Sequence, residues 1–308
     1  MNSKPVIVIF APTACGKTAL ARELFGKSSL SCFKGLGEVV SADSQAVYKG
    51  LNIGTAKPDE IEKQDIPHHL IDVVTPDVQF GVGEFIDLAD ELCEQIINRG
   101  HYPVVTGGTG FYIRNFLMGL PVTPISSEKT RNVLKLRIEK EGNQALYNEL
   151  KQKDPVSAEK INVHDAYRIV RALEVFYASG KPLSSYKLPS ALRNKFHFIP
   201  IILDRDRDDL YNRINERVDR MFLQGLADEV EQLKAAGYTK DTPGMKAIGY
   251  SEFFMPELTS IEQIKERIKK NSRRYAKRQY TFMRDIPGAV TFNAEDKDGI
   301  LSYLQRSV

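Results

Sequence analysis

The chain is poor in cysteine and has no long apolar run. Its three cysteines, Cys15, Cys32 and Cys93, are too few for a disulfide framework, and no two stand at metal-ligand spacing. A reducing, cytoplasmic setting is therefore expected. The longest apolar stretch, Val6 to Phe10, has the length of a strand, far short of the roughly 18 residues that span a bilayer. No membrane segment is expected. The N-terminus lacks a charged stretch followed by a long apolar one, which argues against a secretory signal. Internal repeats and low-complexity tracts are also missing. What is present is ordinary: 308 residues, 42% hydrophobic and 27% charged, with 21 Gly and 15 Pro. That composition excludes disordered and fibrous classes. At about 100–200 residues per domain, the length suits two domains, or one large domain with an insertion.

The net charge of +3 is small but uneven along the chain. Residues 1–125 carry 10 basic and 14 acidic side chains, and residues 126–200 carry 14 and 8. Residues 201–263 carry 8 and 13, and residues 264–308 carry 11 and 5. Two basic blocks thus alternate with two acidic ones. This pattern suits a polyanionic partner or, more plainly, two solvated helical faces.

Periodicity predicts an α/β core. Val6-Ile7-Val8-Ile9-Phe10 reads as a strand buried on both faces of a parallel sheet, and a helix follows from Ala19 to Leu24. Glu38 to Ala42 is a second strand, delivering Asp43-Ser44 at its carboxyl end. The helical stretch Glu84 to Asn98 precedes the strand Tyr102 to Val105, which runs into Gly107-Gly108-Thr109-Gly110 and a helix from Phe111. Such alternation implies a parallel sheet with helices on both faces. After Leu120 the texture turns helical, with no strand until Phe196 to Leu203. Residues 121–195 therefore read as an all-helical insertion into a core made of residues 1–120 and 196–308. From Leu210 onward helices dominate, including Ile261 to Met283.

The strongest local signal is Ala11-Pro12-Thr13-Ala14-Cys15-Gly16-Lys17-Thr18. A strand, a loop ending Gly-Lys-Thr and a helix form the physical recipe for a phosphate cradle of the P-loop type. Backbone N–H groups at the helix start point at the anion, and the helix dipole adds attraction. Lys17 brings a mobile positive charge, and the Thr18 hydroxyl is suited to Mg²⁺. The usual first glycine is Ala11 here, a departure that matters if the backbone needs positive φ at that point. A loop of this kind often serves ATP, and such enzymes place an acid at a strand end to hold the metal. Asp43 is the leading candidate, ahead of Asp72 and Asp204. The plainer reading of Asp43 is a turn aspartate capping the next segment. His68-His69 lacks a third ligand nearby, which favours a structural role over metal binding.

Longer blocks carry a family resemblance. The stretch Asp43-Ser44-Gln45-Ala46-Val47-Tyr48-Lys49-Gly50-Leu51-Asn52-Ile53-Gly54-Thr55-Ala56-Lys57-Pro58 resembles the signature of the tRNA dimethylallyltransferases, also called tRNA isopentenyltransferases. The resemblance continues through Pro67 to Asp72, Gly107 to Tyr112, Arg168 to Val175, Ala247-Ile248-Gly249-Tyr250 and Lys277-Arg278-Gln279. Ordered matches run from residue 6 to about residue 284. Three departures stand out: Ala11 for glycine, Cys15 for serine, and Gln45-Ala46 for the frequent Arg-Gln pair.

The resemblance implies that the cradle, residues 11–18, holds the diphosphate of dimethylallyl diphosphate. Lys17 and Mg²⁺, the latter ligated by Thr18, would stabilise charge on the leaving oxygens. The nucleophile would be N6 of an adenine in a tRNA anticodon loop, with Asp43 taking its proton. Thr109 would orient the base or the phosphate. Arg213 and Arg217, one helical turn apart, are placed to close over the diphosphate; the alternative is a solvated stripe with Glu216 and Asp219. Contact with tRNA would involve Asp43, Ser44, Gln45, Ala46 and Thr109, together with Arg131 and the segment Tyr167, Arg168, Ile169, Val170 and Arg171. Lys265, Lys269, Arg273 and Lys277 recur every four residues as a basic stripe, while Ile261, Ile264, Ile268 and Tyr275 would anchor the same helix. A monomer is expected.

Three other functions compete. A prenyltransferase acting on free AMP needs neither the basic insertion nor the basic stripe. An ATP phosphotransferase is suggested by the loop alone and disfavoured by residues 43–58. A non-catalytic RNA-binding module has no use for the phosphate cradle.

Overall fold

The computed structural model describes residues 4–124 and 127–308. Six strands form one parallel sheet in the order β3-β2-β4-β1-β5-β6. They are β1 (Val6–Phe10), β2 (Gly37–Ser41), β3 (His68–His69), β4 (Tyr102–Gly107), β5 (Phe198–Asp204) and β6 (Val290–Asn293). The sequence pattern missed β3 and β6: one has two residues, and the other alternates half-buried with exposed positions at the sheet edge.

Helices α1 (Lys17–Phe25), α2 (Glu60–Asp65), α3 (Val82–Asn98) and α4 (Gly110–Met118) follow the early strands. Helices α5 (Glu128–Lys153), α6 (Pro155–Lys160) and α7 (Ala166–Ser179) come next. The remainder are α8 (Arg207–Leu223), α9 (Leu226–Ala235), α10 (Ile261–Met283) and α11 (Lys297–Ser307). The alternation of β1 explains the two-sided core. Val6, Val8 and Phe10 pack into one apolar cluster with Phe85, Phe116 and Tyr250, while Ile7 and Ile9 enter the opposite one with Leu20, Phe25 and Leu203.

The chain divides into two compact units, Met1–Gly119 with Ala191–Val308, and Leu120–Ser190. Residues 191–195, grouped with the helices by sequence texture, pack with the sheet unit. Arg193 makes a two-pronged contact with Asp90 at 2.7 and 2.9 Å, and Lys195 lies 3.0 Å from Glu94. In the helical unit, Leu134, Leu146, Leu150, Ile169 and Leu173 form a core of their own. Its longest helix, α5, kinks at Gly142, whose φ of 80° breaks the helical path. Among the described residues no helix is long and apolar enough to cross a membrane.

Candidate active site

The loop after β1 is shaped by two left-handed residues, Ala14 (φ 61°) and Gly16 (φ 105°), and by a Cys15 N–H to Pro12 O hydrogen bond of 3.3 Å. Ala11 is not left-handed, so the missing glycine carries no backbone cost there. The strained position is Ala14, where a side chain in this conformation costs about 1–2 kcal/mol. Gly16 caps α1 without a side-chain bond. The amides of Gly16, Lys17 and Thr18 donate to no acceptor among the described residues. Unpaired N–H groups at a helix start, next to left-handed turns, make an anion-binding concavity. Ala11, Pro12 and Cys15 are buried or partly so, and they offer backbone rather than side chains. The Cys15 sulfur lies 3.7 Å from Leu203 O, and burial pushes its thiol pKa up.

Lys17 is half-buried at the loop's end. Burial, reinforced by the Arg217 charge and opposed by Asp43, pushes its pKa down to about 8. Two cations and one carboxylate therefore converge beside the loop. From α8, Arg213 Nε donates to Ala14 O at 3.1 Å, and Arg217 Nη2 donates to Thr55 O at 3.3 Å. The two arginines are not a mere solvated stripe: one touches the loop after β1 and the other the 51–57 segment.

On the neighbouring strand ends, β2 and β4 pair through Ser41 and Thr106. Their register brings Asp43 and Thr109 together. Asp43 Oδ1 accepts the amides of Gln45 (2.9 Å) and Ala46 (3.3 Å), an Asx turn. Its Oδ2 takes no hydrogen bond among the described residues. The turn role and an available carboxylate oxygen thus coexist in one side chain. Thr109 donates its amide to Ala42 O at 3.2 Å, while its Oγ1 accepts the Ser44 amide at 2.9 Å and donates to Ser44 Oγ at 3.1 Å. Gly107 is required for this close approach, because a Cβ there would sit 2.1 Å from Ala42 O. Gln45 reaches Ser44 Oγ at 3.4 Å. Ala46 is 5% exposed, with its N–H held by Asp43 and its carbonyl accepting the Asp72 amide at 3.1 Å.

Helix α10 supplies two groups that sequence reasoning did not place in the site. Gln279, 1% exposed, accepts the Thr13 amide at 2.9 Å and donates to Gly108 O. Tyr275, expected only as an apolar anchor, donates its hydroxyl to the same carbonyl at 3.1 Å. Burial, then the Asp43 charge, pushes the Tyr275 pKa up to about 12. The sequence signal was a glutamine on the apolar face of a basic helix, inside the Lys277-Arg278-Gln279 block. The segment after Asp43 is fixed from behind: Glu229 accepts the Ile53 amide at 2.9 Å and the Tyr250 hydroxyl at 2.6 Å. His68 bonds Ile66 O and His69 bonds Glu38, both structural contacts.

The residues expected at RNA divide sharply. Lys269 pairs with Asp219 and Glu266, each at 2.9 Å, and Arg273 bonds Asn215. These cations face α8 rather than solvent. Lys277 is exposed, as are Lys270, Arg274 and Arg278. In the helical unit, Arg131 (2.8 Å) and Arg171 (3.4 Å) both clasp Glu174, which is 2% exposed. Tyr167 is 81% exposed, and Arg168 pairs only with Asp165 at 3.2 Å among the described residues. Helical periodicity turns Ile169 and Val170 into the core of this unit, at 0% and 8% exposure.

The chain matches known proteins along most of its length. A family model described as IPP transferase matches residues 46–286. A tRNA dimethylallyltransferase of Acetivibrio thermocellus is 41% identical, covering 95% of this chain and 93% of that protein. One from Geobacter sulfurreducens is also 41% identical, covering 92% and 89%. Among solved structures, a tRNA isopentenylpyrophosphate transferase from Bacillus halodurans is 34% identical with a TM-score of 0.70, covering 99% of this chain and 97% of that one. A eukaryotic dimethylallyltransferase acting on tRNA is 28% identical with a TM-score of 0.77, covering 99% of this chain and 77% of that one. The chain belongs to the IPP transferase family.

Proposed function

We propose that this protein transfers a dimethylallyl group from dimethylallyl diphosphate to N6 of an adenine in the anticodon loop of tRNA. The observation that carries the reading is the convergence of a phosphate cradle and a carboxylate at adjacent strand ends. The amides of residues 16–18, with Lys17, Arg213 and Arg217, bind the diphosphate. As the allylic C–O bond breaks, charge builds on diphosphate oxygens already faced by fixed donors, usually the largest catalytic contribution. The N6 lone pair forms the new N–C bond, and Asp43 Oδ2 takes the proton that N6 loses. Thr109, locked to Ser44, orients the base. The adenine must leave its stack to reach this crevice.

Mg²⁺ fits the donor set. Thr18 Oγ is a hard oxygen donor, and no group of three ligating side chains stands among the described residues. That suits an ion carried largely by the diphosphate, as Mg²⁺ prefers. When bound, it would neutralise leaving-group charge. Tyr167, Arg168 and the exposed cations of α10 hold RNA phosphates and bases, and the helical unit serves as a tRNA-binding domain. Three free cysteines suit a cytoplasmic enzyme. The free-AMP alternative has no support among the relatives, which are named for tRNA. Incubating purified protein with labelled dimethylallyl diphosphate and either unmodified tRNA or AMP tests the proposal. Label should enter tRNA alone; label in AMP alone would reverse the assignment.

A further inference from the structure

We infer that Gln279 is a positioning residue that fixes the phosphate loop relative to the base-side turn, a role resting on the function proposed above. Its carboxamide has two ends with opposite partners. Oε1 accepts the Thr13 N–H at 2.9 Å, at the start of the phosphate loop. Nε2 donates to Gly108 O, one residue before Thr109. The electrophile's cradle and the nucleophile's turn are thus joined through one side chain that is 1% exposed.

The Gly108–Thr109 peptide is held at both ends. Its carbonyl receives Gln279 and, at 3.1 Å, the Tyr275 hydroxyl from the preceding helical turn. Its N–H is held by Ala42 O at 3.2 Å. Thr109 in turn fixes Ser44, next to Asp43, through its Oγ1. Rotating that peptide would displace Thr109, while loosening Thr13 would displace the loop that ends at Lys17. Only a group with one acceptor and one donor spans both partners, and a carboxamide is such a group. Because the alkylation requires two bound substrates in one geometry, an error of about 1 Å between the halves costs on the order of 10²-fold in rate.

Three variants test this, each checked for folding by thermal melting. Gln279→Met keeps the volume and loses both bonds. Gly108→Ala places a Cβ 2.6 Å from Gln279 Nε2, with the next nearest side-chain atoms at 3.9 and 4.0 Å, so the carboxamide must move while little else does. Gln279→Glu keeps the acceptor; as a carboxylate it faces Gly108 O without a proton, and once protonated it can both accept and donate. Expected for Gln279→Met and Gly108→Ala is a kcat lower by about 10²-fold, with KM for dimethylallyl diphosphate and affinity for tRNA within about threefold of wild type. For Gln279→Glu, activity relative to wild type should rise as pH falls. Lower melting temperature with unchanged kcat would overturn the inference in favour of a purely structural amide. Raised KM for tRNA with unchanged kcat would overturn it in favour of an RNA contact. Should Gln279→Met fail to fold, Gly108→Ala and the pH profile of Gln279→Glu decide by the same criteria. Wild-type protein with no alkyl transfer to tRNA would instead refute the proposed function itself.

Discussion

Lys269 Nζ lies 2.9 Å from Asp219 Oδ1, so the charge of this lysine is satisfied between α10 and α8. Lys265 reaches the same oxygen at 2.8 Å, and Arg273 bonds Asn215, one turn nearer the N-terminus of α8. Three of the four cations in the regular stripe thus fasten two helices. The exposed cations Lys270, Arg274, Lys277 and Arg278 occupy the neighbouring face, at spacings of four, three and one residues that keep them on one side of the helix.

The two faces should therefore respond differently to charge reversal. Lys269→Glu sets a carboxylate against Asp219 and should lower stability by about 1–2 kcal/mol. Lys270→Glu with Arg274→Glu should leave the melting temperature near wild type and weaken tRNA binding. For every RNA phosphate that a cation ceases to neutralise, the log–log salt slope should shrink in magnitude by somewhat under one. Melting curves, with tRNA affinity across a salt series, check both outcomes.

The contrast shows what the sequence could and could not reveal. A period of four marks residues that share a helix face, but not what the face meets. That depends on Asp219, some fifty residues away in the chain and adjacent only once α8 and α10 pack. The strands β1, β2, β4 and β5 were legible because burial on both faces favours short apolar segments rich in Val and Ile. The positions of Asp43 and Thr109 beyond strand ends were legible because each follows such a strand. Gln279 was hidden because its partners, Thr13 N–H and Gly108 O, are backbone groups that any residue type would supply. Ile169 and Val170 share a block with exposed Tyr167 and Arg168, yet an amphipathic helix buries part of every five consecutive residues.

Lys17 gives the site a pH signature. Its pKa is pushed down to about 8, so the free enzyme carries this cation below that pH and loses it above. In the proposed reaction this cation meets the diphosphate. Hence kcat/KM for dimethylallyl diphosphate should decline as pH rises through about 8, while the limb in kcat moves higher because the bound anion favours the charged lysine. Lys17→Ala should lower diphosphate affinity and remove this limb without unfolding the protein. Initial rates at limiting and saturating diphosphate, across pH, read both effects.

In the helical unit, core and surface separate within one turn of α7. Ile169→Ala should destabilise by about 2–5 kcal/mol, the usual cost of emptying a buried isoleucine site. Tyr167→Ala should leave stability within about 0.5 kcal/mol and weaken tRNA binding by the about 1–3 kcal/mol that base stacking contributes. Denaturant melts together with tRNA titrations distinguish the two.

The central claim is that Asp43 takes the proton from an adenine amine while the cradle holds the leaving diphosphate. Single-turnover alkyl transfer by Asp43→Asn, with tRNA and dimethylallyl diphosphate both saturating, tests it most directly. The amide keeps the acceptor for the Gln45 and Ala46 amides, so the turn and tRNA affinity should persist. The rate should fall by about 10²–10⁴-fold, the usual contribution of a general base. A near-normal rate would contradict the account and leave Asp43 as the cap of its own turn.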